Sequence, residues 1–395
     1  MAPNRRRFLQ GVAALPGLAA LGSPPASAAP PDRDVYGELG VRPLVNAAGT
    51  YTYLSATLVA PEVRQAMDAA SRKFVHLVEL HQAAGKRIAA LTGSEAALVT
   101  SGAASALTLG TAACMAGSDP ARIRLLPDST GMKHEVILQK SHRYGYDHAV
   151  RNAGAKLVEV ETREDLERAI GEKTALMLFY YRHDPLGQIK VEEFLEIARK
   201  RRIPTLIDAA ADVPPVGNLS RFQKLGYDLV VFSGGKALRG PQCAGLLLGR
   251  KDLVEAAARN NNPHTDTVGR TNKVGKEEIV GMWAAVERFV ALDHAALWKE
   301  WERRCRAVAA PLGGVKAVQT EIFVPETANA VPHLRIAWDY ARLKAEEAVR
   351  LLREGDPRIE TRPEATAGIE IAVWTLEPGE EEVVGRRLRE VLTSP

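Results

Sequence analysis

Short apolar runs alternate with amphipathic stretches through the middle of the chain. Residues 96–100, 135–139, 157–160, 175–180, 205–207, 229–232 and 244–248 are nearly continuous in Ala, Val, Leu, Ile and Phe, and each predicts a strand. Between them, residues 103–115, 146–153, 163–170 and 191–201 carry the apolar spacing of helices. Strands apolar on both faces need cover on both sides, and strand–helix alternation predicts an α/β domain with a mainly parallel sheet. Two helices precede the series, at 61–74 and 75–91, with Pro61 in a first turn and Gly93 just past an end. Helical pattern resumes at 251–260 and 276–307. A smaller α+β part closes the chain, with strands at 317–324, 334–338 and 369–374 and helices at 341–353 and 380–392.

The first residues read differently. Arg5-Arg6-Arg7 precedes an apolar stretch from Gly11 to Leu21, and Ala26-Ser27-Ala28 offers a cleavage site. That order predicts a twin-arginine signal peptide over 1–28, cut after Ala28, and a periplasmic or secreted product. The apolar stretch is too short for a stable membrane anchor. The expected division is signal 1–28, arm 29–60, large domain 61–309 with an interdomain helix, and small domain 310–395.

Composition adds limits. The chain has 395 residues, 46% hydrophobic and 25% charged, enough for a large core. Removing the signal takes three arginines and no acid, so the formal charge falls from +4 to +1. A chain so near neutrality has no bulk attraction for nucleic acid, and no nucleic-acid partner is expected. Cys114, Cys243 and Cys305 are widely spaced in apolar or helical contexts and read as buried thiols. No metal motif such as H-E-x-x-H occurs.

Three strand ends carry candidate chemistry. Ser233-Gly234-Gly235-Lys236 follows the run 229–232. A lysine in a glycine-rich turn suits Schiff-base chemistry with an aldehyde such as pyridoxal 5'-phosphate (PLP); alone, the same pattern describes a surface lysine. Thr100-Ser101-Gly102-Ala103 lies between a strand and a helix, where free N–H groups attract phosphate, and where Ser and Gly also serve as plain caps. Asp208 ends an apolar strand, placed either to hold a pyridinium nitrogen or to cap a turn. In a parallel sheet these ends share one edge. A phosphate loop, then an acid, then a lysine 28 residues on is the order of fold type I PLP enzymes.

Over about residues 36–300 the chain resembles the bacterial selenocysteine synthase (L-seryl-tRNA selenium transferase) family and its small-substrate relatives, which include sugar-amine ammonia lyases. The resemblance rests on Val45-Asn46-Ala47-Ala48-Gly49-Thr50, Ser101 to Ser105, Asp208, Ser233 to Pro241, and Gly269 to Lys276. It implies the aspartate aminotransferase-like fold, PLP as cofactor, Lys236 as the Schiff-base lysine and Asp208 as the pyridinium partner. Ser101, Gly102, Ala103 and Ser233 would contact the phosphate. Sites of this kind form at a homodimer or higher-oligomer interface, so Arg270 or Lys273 would reach a neighbour's phosphate or substrate. His142 would stack over the cofactor ring. Arg182, His183 and Arg239 are candidates for the substrate, the arginines for a carboxylate and His183 for proton transfer.

The tRNA-charging members carry an extra N-terminal domain, whereas this chain begins almost directly near Tyr36; with export, that argues against a tRNA substrate. The expected activity is an exported PLP enzyme acting on a small amino acid or amino sugar through a Cα carbanion, with α,β-elimination favoured. β-Replacement, racemisation and transamination are the alternatives. A PLP-carrying protein without turnover and a nucleotide-binding α/β protein rank below; the chain lacks a G-x-x-x-x-G-K-[ST] loop.

Overall fold

The computed structural model describes residues 33–339, 343–364 and 368–393, so the signal read at 1–28 lies outside the described residues. Two compact units divide at Pro43/Leu44. In the first, a short helix Val35–Glu38 is capped by Asp34, whose carboxylate accepts from Gly37 N at 2.9 Å.

The second unit holds everything from Leu44 onward. Its strands are β1 (Val45–Asn46), β2 (Ala96–Thr100), β3 (Glu135–Gln139), β4 (Lys156–Val160), β5 (Thr174–Tyr180), β6 (Thr205–Asp208), β7 (Leu229–Ser233), β8 (Gly245–Gly249), β9 (Gln319–Phe323), β10 (His333–Ala337), β11 (Ile359–Glu360), β12 (Arg362–Glu364) and β13 (Gly368–Ile371). Seven of them form one sheet in the order β2-β8-β7-β6-β5-β3-β4. β3 to β7 pair in parallel, and only β8 runs against its two neighbours. β2 therefore points the same way as β7, and six C-terminal ends share one edge.

This sheet is buried on both faces. Ile137, Met177, Phe179, Ile207, Val230 and Phe232 pack on one side, and Leu138, Leu176, Leu178, Leu206, Leu229 and Val231 on the other. The period-2 split of each apolar run makes two cores from one sheet. The helix Gly102–Ala116 is buried almost all round, as a small-residue helix pressed on a sheet must be.

The C-terminal part is a four-stranded antiparallel sheet, β12-β13-β10-β9, with helices Ala345–Glu354 and Glu380–Thr393 over its own core. From Leu44 the stretch read as an arm is structured: β1 pairs in parallel with β11. The helical pattern at 276–307 is two helices, Lys276–Ala291 and His294–Ala309; Asp293 breaks it by capping Ala296 N at 2.9 Å. Of the cysteines only Cys305 is buried; Cys114 is half-buried, and Cys243 is exposed because the turn before β8 lies at the surface. Among the described residues there is no metal-binding cluster and no helix long and apolar enough to cross a membrane.

Candidate active site

β7 delivers Ser233 to the common edge, and the chain then folds tightly. Gly234 N donates to Ala244 O at 2.8 Å, and Gly240 N to Gly234 O at 2.9 Å. A Cβ on Gly235 would lie 2.6 Å from Gln242 Cα, so only glycine permits this approach. Thr57 Oγ1 lies 2.9 Å from both Gly235 O and Lys236 O and clamps the turn from outside. Lys236 is thereby held half-buried. Burial pushes its ammonium below the usual lysine range, while Asp208 and Asp212 oppose that shift. The result is a lysine with more free amine than a surface one.

Asp208 is 3% exposed. Its Oδ1 accepts from Ala210 N at 3.0 Å and its Oδ2 from Tyr144 Oη at 2.5 Å. Burial raises its proton affinity, and these donors and Lys236 offset part of the rise. Four residues on, Asp212 is equally buried and accepts from Ala328 N at 2.7 Å. Burial pushes it up to about 7.

The helix Gly102–Ala116 begins on the same edge with Ser101 as its N-cap, and no side chain caps it. Ser101, Gly102 and Ala103 are half-exposed. Gly102 has φ +73°, a conformation that costs any other residue about 1 kcal/mol or more. Ser105 Oγ is buried without a partner among the described residues. Free helix N–H groups and an orphan hydroxyl make a cradle that fits a phosphate. With Lys236 for the aldehyde and Asp208 for the ring nitrogen, the residues present fit PLP.

The substrate candidates separate. Arg182 follows β5, and its charge acts on Lys236, Asp212 and Tyr180. His183 lies beside it, its ring 4.6 Å from that of Tyr180, with Nδ1 2.8 Å from Ser141 O. Arg239 is engaged elsewhere: its guanidinium donates to Leu58 O and to Glu377, each at 3.0 Å. Arg270 and Lys273 are exposed, and neither side chain has an ion-pair partner among the described residues. Among the described residues no hydrogen bond ties them to Lys236 or Asp208.

His142 departs from its expected place. Its ring has no exposed surface, meets Phe179 edge-on at 4.5 Å, and contacts Gln139 Nε2 at 3.2 Å and Tyr180 N at 3.3 Å. Burial pushes it down to about 4, so it is neutral. A ring without a free face has nothing to lay on a cofactor. The aromatic groups at this edge are Tyr144 and Tyr180, stacked 3.9 Å apart at 10°. Sequence reasoning missed Tyr144 and Asp212. The second had a signal, an acid four residues past Asp208 in an alanine turn.

A sheet of this topology, with a lysine turn, a strand-end acid and an uncapped helix start on one edge, defines a PLP-dependent enzyme of fold type I, in the lyase and transferase range. The family model for L-seryl-tRNA selenium transferase matches residues 44–288, and the chain belongs to that family. It is 30% identical over 376 residues to D-glucosaminate-6-phosphate ammonia lyase of Salmonella typhimurium, covering 91% of this chain and 98% of that one. A 5'-C-glycyluridine monooxygenase-decarboxylase from a Streptomyces species is 31% identical over 90% of this chain and 92% of its own. An L-seryl-tRNA(Sec) selenium transferase of Moorella thermoacetica is 26% identical, over 90% and 83%. Among solved structures, a D-glucosaminate-6-phosphate ammonia-lyase superposes with a TM-score of 0.79 at 29% identity, over 91% of this chain and 98% of that one. A serine palmitoyltransferase with PLP shares the fold alone, at 0.57 and 16%, over 88% and 87%.

Proposed function

We propose that this chain is an exported PLP-dependent lyase that removes ammonia from a small amino acid or amino sugar by α,β-elimination. One observation carries the reading: a lysine with weakened charge and a buried carboxylate sit on the edge where an uncapped helix begins. PLP, when bound, supplies an electron sink for the charge left at Cα. Lys236 would supply the amine that holds the cofactor aldehyde and a base for the proton on Cα. Asp208, at the end of the strand beside Lys236, would hold the ring nitrogen with its carboxylate. The uncapped first turn of Gly102–Ala116 and Ser233 would hold the phosphate. Arg182 orients a substrate carboxylate.

Elimination is favoured because the relatives matched over nine-tenths of this chain include an ammonia lyase. Its substrate, an amino sugar acid, is the first to try. β-Replacement is the second reading, on the strength of the family model, and it requires an added nucleophile. Export is supported by the order twin arginine, apolar stretch, Ala26-Ser27-Ala28. A homo-oligomer is supported by the exposure of Arg270 and Lys273, whose side chains have no ion-pair partner among the described residues.

The purified holoprotein is incubated with D-glucosaminate 6-phosphate and a panel of amino acids and amino sugars, with and without thiol or selenide, and ammonia is measured. Ammonia without added nucleophile supports the lyase. Product only with one supports β-replacement. No turnover on any member, with PLP bound, sinks both. Cell fractionation of the full chain and of an Arg5→Lys, Arg6→Lys variant tests export.

A further inference from the structure

A carboxylate that serves a ring nitrogen must be charged, and burial works against that charge. Asp208 sits 3% exposed at the end of β6, so its ionisation depends on donors. Ala210 N–H serves Oδ1 at 3.0 Å, and the Tyr144 hydroxyl serves Oδ2 at 2.5 Å. The second is the only side chain hydrogen-bonded to this carboxylate among the described residues.

Tyr144 is held by contacts on two sides. Its ring lies flat on Tyr180, the residue paired with Asp208 across the β5–β6 ladder. Its backbone N–H donates to Asp147 Oδ2 at 3.3 Å, and Asp147 is in turn fixed by Arg143 at 2.6 Å and Arg151 at 3.6 Å. The phenol cannot swing away without unstacking from Tyr180.

We propose that Tyr144 is a positioning residue of the cofactor site, whose hydroxyl aims Asp208 and holds it in the ionised form that a bound pyridine nitrogen requires. The phenol is a dependable donor, because burial first, and the charge of Asp208 second, push its own ionisation well above the usual tyrosine range. Oδ2 keeps a second lone pair, so the tyrosine and a ring N–H can share the carboxylate. The other charged groups facing this pair are Lys236, Asp212 and Asp147, with the Tyr180 phenol pushed up to about 12. The proposal rests on the PLP reading of Asp208 and is independent of the choice between lyase and transferase.

The test reads cofactor binding rather than turnover. PLP affinity and the visible absorbance of the bound cofactor are followed from pH 5 to 9 in the wild type, Tyr144→Phe, Asp208→Asn and the double variant. Phenylalanine keeps the ring stack and removes one hydroxyl. Tyr227→Phe, which loses a buried hydroxyl bonded to Val191 O at 3.0 Å, controls for generic phenol loss.

In Tyr144→Phe the acid limb of cofactor retention moves up by about one pH unit, and affinity near neutrality falls about tenfold. In the Asp208→Asn background the same change has no further effect on the acid limb. An unshifted limb in Tyr144→Phe overturns the proposal, as does an equal loss at every pH, which marks packing alone. A wild type with no PLP band overturns the cofactor reading and this proposal with it. Bound PLP in the wild type with an unshifted variant overturns this proposal only.

Discussion

Lys236 differs from a free lysine through its surroundings. A free lysine is almost wholly protonated at neutral pH; here burial favours the amine, while Asp208 and Asp212 keep the charge from being lost altogether. Lys236→Ala is expected to abolish covalent PLP labelling on borohydride reduction and to slow turnover by about 10³-fold; retained labelling at another lysine contradicts the assignment. The two arginines offered by the sequence divide in the same way. Arg182→Ala removes a charge beside the reacting groups, and KM for a carboxylate substrate is expected to rise about 10- to 100-fold. Arg239→Ala breaks a half-exposed pair with Glu377, so KM stays and unfolding free energy changes by no more than about 1 kcal/mol. Steady-state kinetics of both variants, with urea unfolding, check the pair; a KM rise in Arg239→Ala returns it to the substrate site. The placement of Lys236 and Asp208 at strand ends on one edge was legible because strand ends and chain order are local signals. His142, Tyr144 and Arg239 were not, because which neighbour a loop side chain meets is set by contacts distant in sequence: Tyr144 meets Asp208 across 64 positions, and Arg239 meets Glu377 across 138.

At the level of elements, the strands could be read because each is buried on both faces and bounded by small or polar residues. The two-residue pair β1 and β11 has no such pattern, and it is what turns a predicted arm into part of the body. The break at Asp293 was missed because apolar helical spacing runs across it and only the cap interrupts it. The two glycine turns make the sharpest test of element geometry. At Gly102 the strain is conformational, since φ is +73° and a Cβ would meet nothing closer than 3.9 Å. At Gly235 it is steric, since a Cβ would meet the Gln242 backbone at 2.6 Å. Gly102→Ala is expected to cost about 1 kcal/mol and to weaken PLP binding through displaced helix N–H groups. Gly235→Ala is expected to cost about 1–3 kcal/mol and to move Lys236 itself. Unfolding curves with PLP titrations separate the two: the first lowers affinity while covalent attachment persists, and the second lowers both. Full attachment in Gly235→Ala contradicts the steric argument.

Across the whole second unit, one turn of the C-terminal part, at 327–329, reaches the strand ends. Thr327 Oγ1 donates to Arg182 O at 2.9 Å, Ala328 N to Asp212 Oδ1 at 2.7 Å, and Asn329 N to Ala211 O at 2.7 Å. Ala328 and Asn329 both have φ +54°, so the turn is held in a conformation that neither prefers. Asp212 is the ionisable member of this contact, facing Lys236, Asp208 and Arg182. Its folded value of about 7 lies above the ordinary 3.8 because burial opposes its charge. Between these values the folded state binds the proton that the unfolded state has released. Asp212's contribution to the stability of the cofactor-free protein therefore falls as pH rises through this window, by an amount on the order of a few kcal/mol. Above about pH 7 both states are ionised and the loss is complete. Asp212→Asn keeps an acceptor for Ala328 N–H and removes the charge, so the variant lacks this part of the slope. Urea unfolding of the cofactor-free wild type and variant at pH 4.5, 6 and 7.5 checks it. The stability difference in favour of the variant is expected to grow with pH, and groups such as His142 cancel because both proteins carry them. A difference constant with pH means that Asp212 is already ionised at pH 4.5, with Lys236 and Arg182 outweighing burial, and that the turn is held by a full ion rather than by an acid.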